Sequence, residues 1–348
     1  MKTIINNLNI SSIASWLPEE IIVMSDFKKT YGEETVNTII KTTGIESARI
    51  APSEMTSADM CFNAASYLIE KENIEINEID GLVFVSQTPD YILPATSIIL
   101  QDRLNLKKEC VCIDVHYGCS GYIYGLLQAS CWINSGLCKK VFVLAGDTTS
   151  RMINPNDRSL RMVFGDCGTA TLVEKGDHTF GFDIMSDGSG FDKLIVPAGG
   201  FRHPSDSATN TLEYDEDGNG RTKNDLFMDG MAIFNFALSK VHKNINETIQ
   251  LMDWKKEDVN MYLLHQANDF MVGYIRKKLK VEPLQVPTNA YNRGNTGPAT
   301  IPLLCCDALH DYQGNLTKVI MSGFGVGLSW GSVALSLEST KFYKPVNS

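Results

Sequence analysis

The sequence predicts a layered α/β fold made of two related halves. Two observations carry this: near-continuous apolar strands alternate with helices, and one set of short motifs occurs twice in the same order. Strands that are apolar at every position belong to sheets covered on both faces, because an alternating pattern suffices when one face meets water. In the first half, Leu82-Val83-Phe84-Val85 runs into Ser86-Gln87-Thr88-Pro89-Asp90, and in the second, Tyr262-Leu263-Leu264 runs into His265-Gln266-Ala267-Asn268-Asp269. Roughly thirty residues later, Cys119-Ser120-Gly121 precedes an apolar helix containing Leu126-Leu127, and Asn295-Thr296-Gly297 precedes one containing Leu303-Leu304. Lys140-Val141-Phe142-Val143-Leu144 then answers to Lys318-Val319-Ile320-Met321, and Gly168 to Leu172 answers to Gly331 to Leu335. Each half therefore reads strand, helix, strand, helix, strand, strand, with residues 1–178 as the N-terminal half and 179–348 as the C-terminal half. Gly199 to Asn224, rich in Gly, Asp, Asn, Ser and Thr, reads as a surface excursion within the second half.

Composition narrows the function classes. The chain has 348 residues, 43% apolar and 21% charged, which is enough for two core-bearing halves and excludes disordered and fibrous classes. A formal net charge of −10 repels nucleic acid and anionic membrane surfaces, so neither is expected as a partner. No apolar run is long enough to cross a bilayer, and a cytoplasmic location is expected. Nine cysteines, an odd number with no CxxC pair, point to reduced thiols rather than a disulfide framework. Cys110-Val111-Cys112 and Cys305-Cys306 lack partners at zinc-site spacing, so no metal is expected.

Superposing the halves brings the loops with Ser86 and His265 together with the helix starts at Cys119 and Asn295. Taken singly, each residue has an ordinary role: a buried thiol, a hydrogen-bonded histidine at a strand end, a helix N-cap. Their convergence is what distinguishes them. Cys119 stands between Gly118 and Ser120-Gly121, where little bulk surrounds the sulfur. A helix N-terminus there is expected to favour the thiolate and lower the thiol pKa, making a nucleophile for a thioester.

The chain resembles the β-ketoacyl-acyl carrier protein synthase III branch of the thiolase superfamily over essentially its whole length. The resemblance is carried by Thr43-Gly44-Ile45, Gly118-Cys119-Ser120-Gly121, Asp157-Arg158, Phe164-Gly165-Asp166, His265-Gln266-Ala267-Asn268, Gly294-Asn295-Thr296 and Gly323-Phe324-Gly325-Val326-Gly327. It implies a thiolase fold, with duplicated βαβαβ halves forming a five-layer αβαβα pseudo-dimer. It further implies that an acyl primer thioester acylates Cys119, and that His265 and Asn295 hold the extender carbonyl while malonyl-acyl carrier protein loses CO2. Decarboxylative Claisen condensation then gives a 3-oxoacyl product, as in fatty acid biosynthesis, with no metal or prosthetic group. The backbone N–H groups of Cys119 and Val326 would form the oxyanion hole. Arg158, Asn268, Leu93, Phe324 and Gly325 would lie along the substrate path, and Arg276, Lys277 and Lys278 would dock the acyl carrier protein. Leu93, in the apolar loop Tyr91-Ile92-Leu93-Pro94, would reach a partner subunit in a homodimer.

The chain departs from the family pattern in ways that bear on substrate. CoA-using members commonly carry a Trp and an Arg shortly before Thr-Gly-Ile, whereas Asn37 to Thr42 contains neither, so half of the adenine clamp is missing and a carrier-bound primer gains. Phe270 stands where a basic residue is frequent, and His116 sits three residues before the nucleophile where small residues are common. Two readings stay open at this point: condensation, and acyl transfer from Cys119 to an alcohol or amine without carbon–carbon bond formation. A non-catalytic subunit is disfavoured because Cys119, His265 and Asn295 are all present.

Overall fold

The computed structural model describes residues 1–347. Its backbone is one eleven-stranded sheet path bent into two lobes. The principal strands are β1 (Lys2–Leu17), β2 (Gly81–Val85), β3 (Val111–Val115), β4 (Lys140–Asp147), β5 (Cys167–Lys175), β6 (His178–Ser186), β7 (Met261–Leu264), β8 (Val319–Gly325) and β9 (Ser329–Leu335), and two short C-terminal strands pair with β1. Hydrogen bonding runs in the order β7-β8-β9-β6-β1-β5-β4-β2-β3. β1 joins the lobes, because Lys2 to Leu8 pair with β6 whereas Leu8 to Trp16 pair with β5, across register shifts that let the strand turn. Asn7 takes the turn at φ 61°, a conformation Asn tolerates better than bulky residues.

Helices cover both faces of each lobe. α1 (Glu33–Thr43) lies at one end. α2 (Ser57–Glu72) packs Ala58, Cys61, Ala65 and Leu68 on Phe84, Phe142 and Leu144 of the first lobe. α3 (Gly121–Asn134) and α6 (Thr300–Leu309) share one core with residues of both lobes, among them Val83, Val143, Leu263 and Met321, so they form the middle layer. α4 (Gly230–Leu251) and α5 (Asp269–Leu279) cover the outer face of the second lobe through Val241, Ile245, Ile275 and Ile320. The layers read α2, lobe, α3 with α6, lobe, α4 with α5, which is the expected αβαβα arrangement. β2 and β7 are buried at every position, as their unbroken apolar sequences require.

One element of the expected duplication fails. The counterpart of β3 in the second half does not form: a single 3-10 turn covers Pro283–Gln285 and no strand follows before Asn289. Pro283 and Pro287 bracket Val286 and cannot donate to a ladder, so the segment has no means of extending the sheet. The expected surface excursion is largely irregular, with a short hairpin of Glu213–Tyr214 and Gly220–Arg221 held by Arg221 on Asp157 and Asp215.

Asp183 on β6 is fully buried, neither carboxyl oxygen has a hydrogen-bond partner among the described residues, and the Asn244 amide donates to the Asp183 backbone carbonyl. Burial raises its pKa, partly offset by the Lys2 charge. A group with a raised folded-state pKa contributes most when protonated, and that contribution is lost as pH rises through the raised value. Asp183→Asn is therefore expected to stabilise the protein by about 1 kcal/mol at pH 8, roughly 2 °C in Tm, with the gain vanishing near pH 4. Calorimetric melting of both forms across this range checks it.

Candidate active site

The nucleophile candidate sits where β3 turns into α3. Ser120 is the N-cap residue of α3, and Gly121 N–H closes the turn on Gly118 O at 2.7 Å. The Cys119 sulfur faces the loop after β8, and a Cβ placed on Gly325 would lie 2.8 Å from it, so only glycine permits this approach. The backbone N–H groups of Val326 and Cys119 both act on the sulfur and favour its anion. Ser120 Oγ meets Ser329 Oγ at 2.6 Å, and Ser329 donates to Val326 O at 2.7 Å, which ties the loop to the helix start.

The expected low thiol pKa is not found. Burial pushes the Cys119 thiol up to about 12, the nearby Asp147 carboxyl adds to the rise, and the two N–H donors offset only part of it. A helix N-terminus contributes about 0.3 to 1 kcal/mol toward an anion, whereas full burial moves a titration by several units. Desolvation wins, and the charged group that acts on the thiol is the Asp147 carboxyl, which adds to the rise.

His265 lies at the end of β7, 1% exposed, with its N–H on Ser322 O at 2.8 Å and its ring edge-on to Phe324 at 5.3 Å. Burial lowers its pKa to about 3, so the imidazole is neutral. Nδ1 lies 2.6 Å from Thr300 Oγ1, the first residue of α6, and the same hydroxyl is 3.1 Å from Gly297 O. The hydroxyl has one proton: given to Nδ1, it puts the ring proton on Nε2 and makes that edge a donor, whereas given to Gly297 O it leaves the ring proton on Nδ1. Gly297 N–H in turn donates to Asn295 Oδ1 at 3.0 Å, which fixes the carboxamide with Nδ2 as its free, donating end. Asn295 is anchored by its backbone to Val163 and Gly165, where a Cβ on Gly165 would lie 2.4 Å from Arg293 O. Cys119, Phe324-Gly325-Val326, His265, Thr300, Gly297 and Asn295 thus form a connected series of contacts at one end of the two lobes.

The other expected site residues are placed unevenly. Val326 is half-buried, and its backbone N–H favours the Cys119 anion. Phe324 is 1% exposed and packs edge-on against the imidazole. Asn268 caps α5, its Oδ1 accepting from Met271 N–H at 2.8 Å. The Arg158 guanidinium donates to Asp217 O of the excursion hairpin. Leu93 is 78% exposed on the loop after β2. Lys277 and Lys278 are exposed at the end of α5 and Arg276 is half-buried. Two residues escaped the sequence reading: Thr300, whose only signal is its position at the first turn after Asn295, and Asp147, whose signal is a carboxylate ending an apolar strand. Among the described residues no cluster of His, Cys, Asp or Glu could hold a metal ion.

Fold and site together define a thiolase-fold acyltransferase. Residues 113–188 match the family described as 3-oxoacyl-[acyl-carrier-protein (ACP)] synthase III, and residues 249–337 match its C-terminal domain. A β-ketoacyl-[acyl-carrier-protein] synthase III of Streptococcus gordonii is 31% identical, over 94% of this chain and 98% of its own. The crystal structure of a 3-oxoacyl-(acyl-carrier protein) synthase from Burkholderia xenovorans LB400 aligns with TM-score 0.94 and 36% identity, over 100% of this chain and 99% of that one. The chain belongs to the 3-oxoacyl-[acyl-carrier-protein] synthase III family.

Gly325→Ala is expected to leave the fold intact but displace the sulfur, cutting iodoacetamide labelling of Cys119 about a hundredfold, since misplacements near 1 Å have that scale. Thr300→Val is expected to spare labelling while reducing any step that needs the His265 donor, and Thr300→Ser to restore that step. Peptide mapping with circular dichroism, and CO2 release from malonyl thioester, provide the measurements.

Proposed function

We propose that the chain performs decarboxylative condensation of an acyl primer with malonyl-acyl carrier protein. Cys119 attacks the primer thioester, the N–H groups of Val326 and Cys119 hold the tetrahedral oxyanion, and the carrier thiol departs with the cysteine proton. His265 Nε2–H and Asn295 Nδ2 then donate to the malonyl thioester carbonyl. Loss of CO2 leaves an enolate on that oxygen, and its carbon attacks the acyl carbon, giving a 3-oxoacyl product and expelling the Cys119 thiolate, which takes a proton from solvent to restore the thiol. Donors aimed at charge that develops only in the transition state lower the barrier without tightening ground-state binding.

The observation that carries this reading is the neutral imidazole, held near pKa 3 by burial, with one edge bonded to Thr300. Transfer to an alcohol needs a general base for the hydroxyl proton, and a group titrating near 3 is a poor one at neutral pH. Donation to an enolate needs only the N–H. The test separates the roles. Cys119→Ala is expected to abolish self-acylation, while His265→Ala and Asn295→Ala still acylate but lose CO2 release by at least about a hundredfold. A folded His265→Ala protein that fails to acylate would make His265 the activating base.

Primer delivery by a carrier protein fits the surface better than delivery by CoA. On α1 the Thr42 hydroxyl is bonded to Thr38 O at 2.7 Å, and Arg158 is engaged by the hairpin, so neither offers a free adenine clamp. Lys277 and Lys278 stand exposed on an acidic protein, next to Phe270, which is 55% exposed and stacks on Phe234 at 5.6 Å. Such a surface suits an acidic carrier protein through charge complementarity. A homodimer is supported by β3, which pairs only with β2 and leaves an open edge, and by exposed Tyr91, Ile92 and Leu93. Changing Lys277 and Lys278 to Glu is expected to slow acylation from carrier protein about tenfold and leave acyl-CoA unaffected. Single-turnover acylation with the same acyl chain on each donor measures this.

A further inference from the structure

Asp147, the last residue of β4, is fully buried and plays no part in the steps above. Its Oδ1 accepts from Gln87 N–H at 2.7 Å, Ser86 Oγ at 2.8 Å and Thr88 Oγ1 at 3.2 Å, so one oxygen holds the whole loop after β2. That loop presses on the nucleophile's turn, since a Cβ on Gly118 would fall 1.8 Å from Gln87 Oε1. The second oxygen, Oδ2, is buried with no hydrogen-bond partner among the described residues. It lies against Gly297, where a Cβ would come within 2.7 Å of it, and Gly297 is the residue whose N–H orients Asn295. A single carboxyl is thereby wedged between the loop beside Cys119 and the loop that carries Asn295, one from each half of the chain.

The titratable groups that face it are thiols: Cys119 at the start of α3, Cys61 on α2, and its register partner Cys167 on β5. Burial raises all three, Cys61 to about 12 and Cys167 well above its ordinary value, so they stay neutral near pH 7. Burial also raises Asp147, to about 7, with the Gln87, Ser86 and Thr88 donors only partly offsetting it. Within this group, then, the carboxyl alone changes charge near neutrality, and its anion disfavours a thiolate at Cys119.

We infer that Asp147 is a positioning residue for the acylation step: it locks the Gln87 loop and the Asn295 loop around Cys119, and its charge state governs how readily Cys119 ionises. This rests on Cys119 being the nucleophile. In the protonated state the site retains its hydrogen-bonded loop and gains the more ionisable thiol, so Cys119 reactivity rises with pH less steeply once Asp147 ionises.

The test is the rate of iodoacetamide alkylation at Cys119, followed by peptide mass spectrometry from about pH 5.5 to 9, for wild type, Asp147→Asn and Ser86→Ala. The Asp147→Asn to wild-type rate ratio is expected near unity at the acid end and roughly fivefold above about pH 8, because removing an adjacent like charge lowers a thiol pKa. Ser86→Ala removes a donor that favours the carboxylate and is expected to move the break in the wild-type profile to higher pH. A ratio that stays flat, or a break unmoved by Ser86→Ala, overturns the inference and leaves Cys119 as nucleophile. Failure of Cys119 to alkylate in the folded wild-type protein overturns both. If Asp147→Asn does not fold, the Ser86→Ala profile decides alone.

Discussion

The burial of α3 and α6 between two sheet lobes is the constraint on which the rest of the site depends. Their side chains, including Leu126, Ala129, Ile301 and Leu304, contact strands of both lobes in one core. Fixing both helices there brings their first turns to the same end of the sheets, with Cys119 just ahead of one and Asn295 ahead of the other. It also buries Ser86, His265 and Gln266 where the loops after β2 and β7 begin. In such surroundings a charge is disfavoured unless it is matched, and polar groups must find partners among themselves.

That burial sets the protonation states. Cys119 is held as a thiol and His265 as a neutral imidazole, each moved by burial in the direction opposite to an ion pair. A resting thiolate–imidazolium pair is therefore not what this site stores. What it stores is donor geometry: the N–H groups of Val326 and Cys119 acting on the sulfur, an imidazole held at Nδ1 by Thr300, and a carboxamide turned by Gly297. Preorganised neutral donors cost little in a dry site and act most strongly where charge appears.

The glycines of the motifs act as contact points between segments rather than as sources of flexibility. Gly325 admits the Cys119 sulfur, Gly323 lies against Ser120 and the Cys119 carbonyl, and Gly165 admits the carbonyl of Arg293. Each brings together segments distant in sequence, so a methyl group at any one of them would move a reactive group. Gly44, Gly294, Gly297 and Gly327 also take positive φ, at 75°, 66°, 61° and 131°, and the middle two are where the chain turns into and out of Asn295-Thr296.

Much was determined by the sequence alone. Apolar strands such as Leu82 to Val85 and Tyr262 to Leu264 require covered sheets, and the repeated order of strand, polar loop and helix start puts Ser86, Cys119, His265 and Asn295 at one end. Local chemistry was legible because strand periodicity and glycine placement are properties of neighbours in the chain. Where the pattern met prolines, around Val286, the expected strand did not form, and that too is a local effect. The tertiary structure alone decided the protonation states, the packing of Phe324 on His265, the engagement of Arg158 by the hairpin, and the contacts of Thr300 and Asp147. These depend on desolvation and on contacts between residues far apart in the chain, such as Asp147 with Gly297, and neither quantity can be read from the order of the residues.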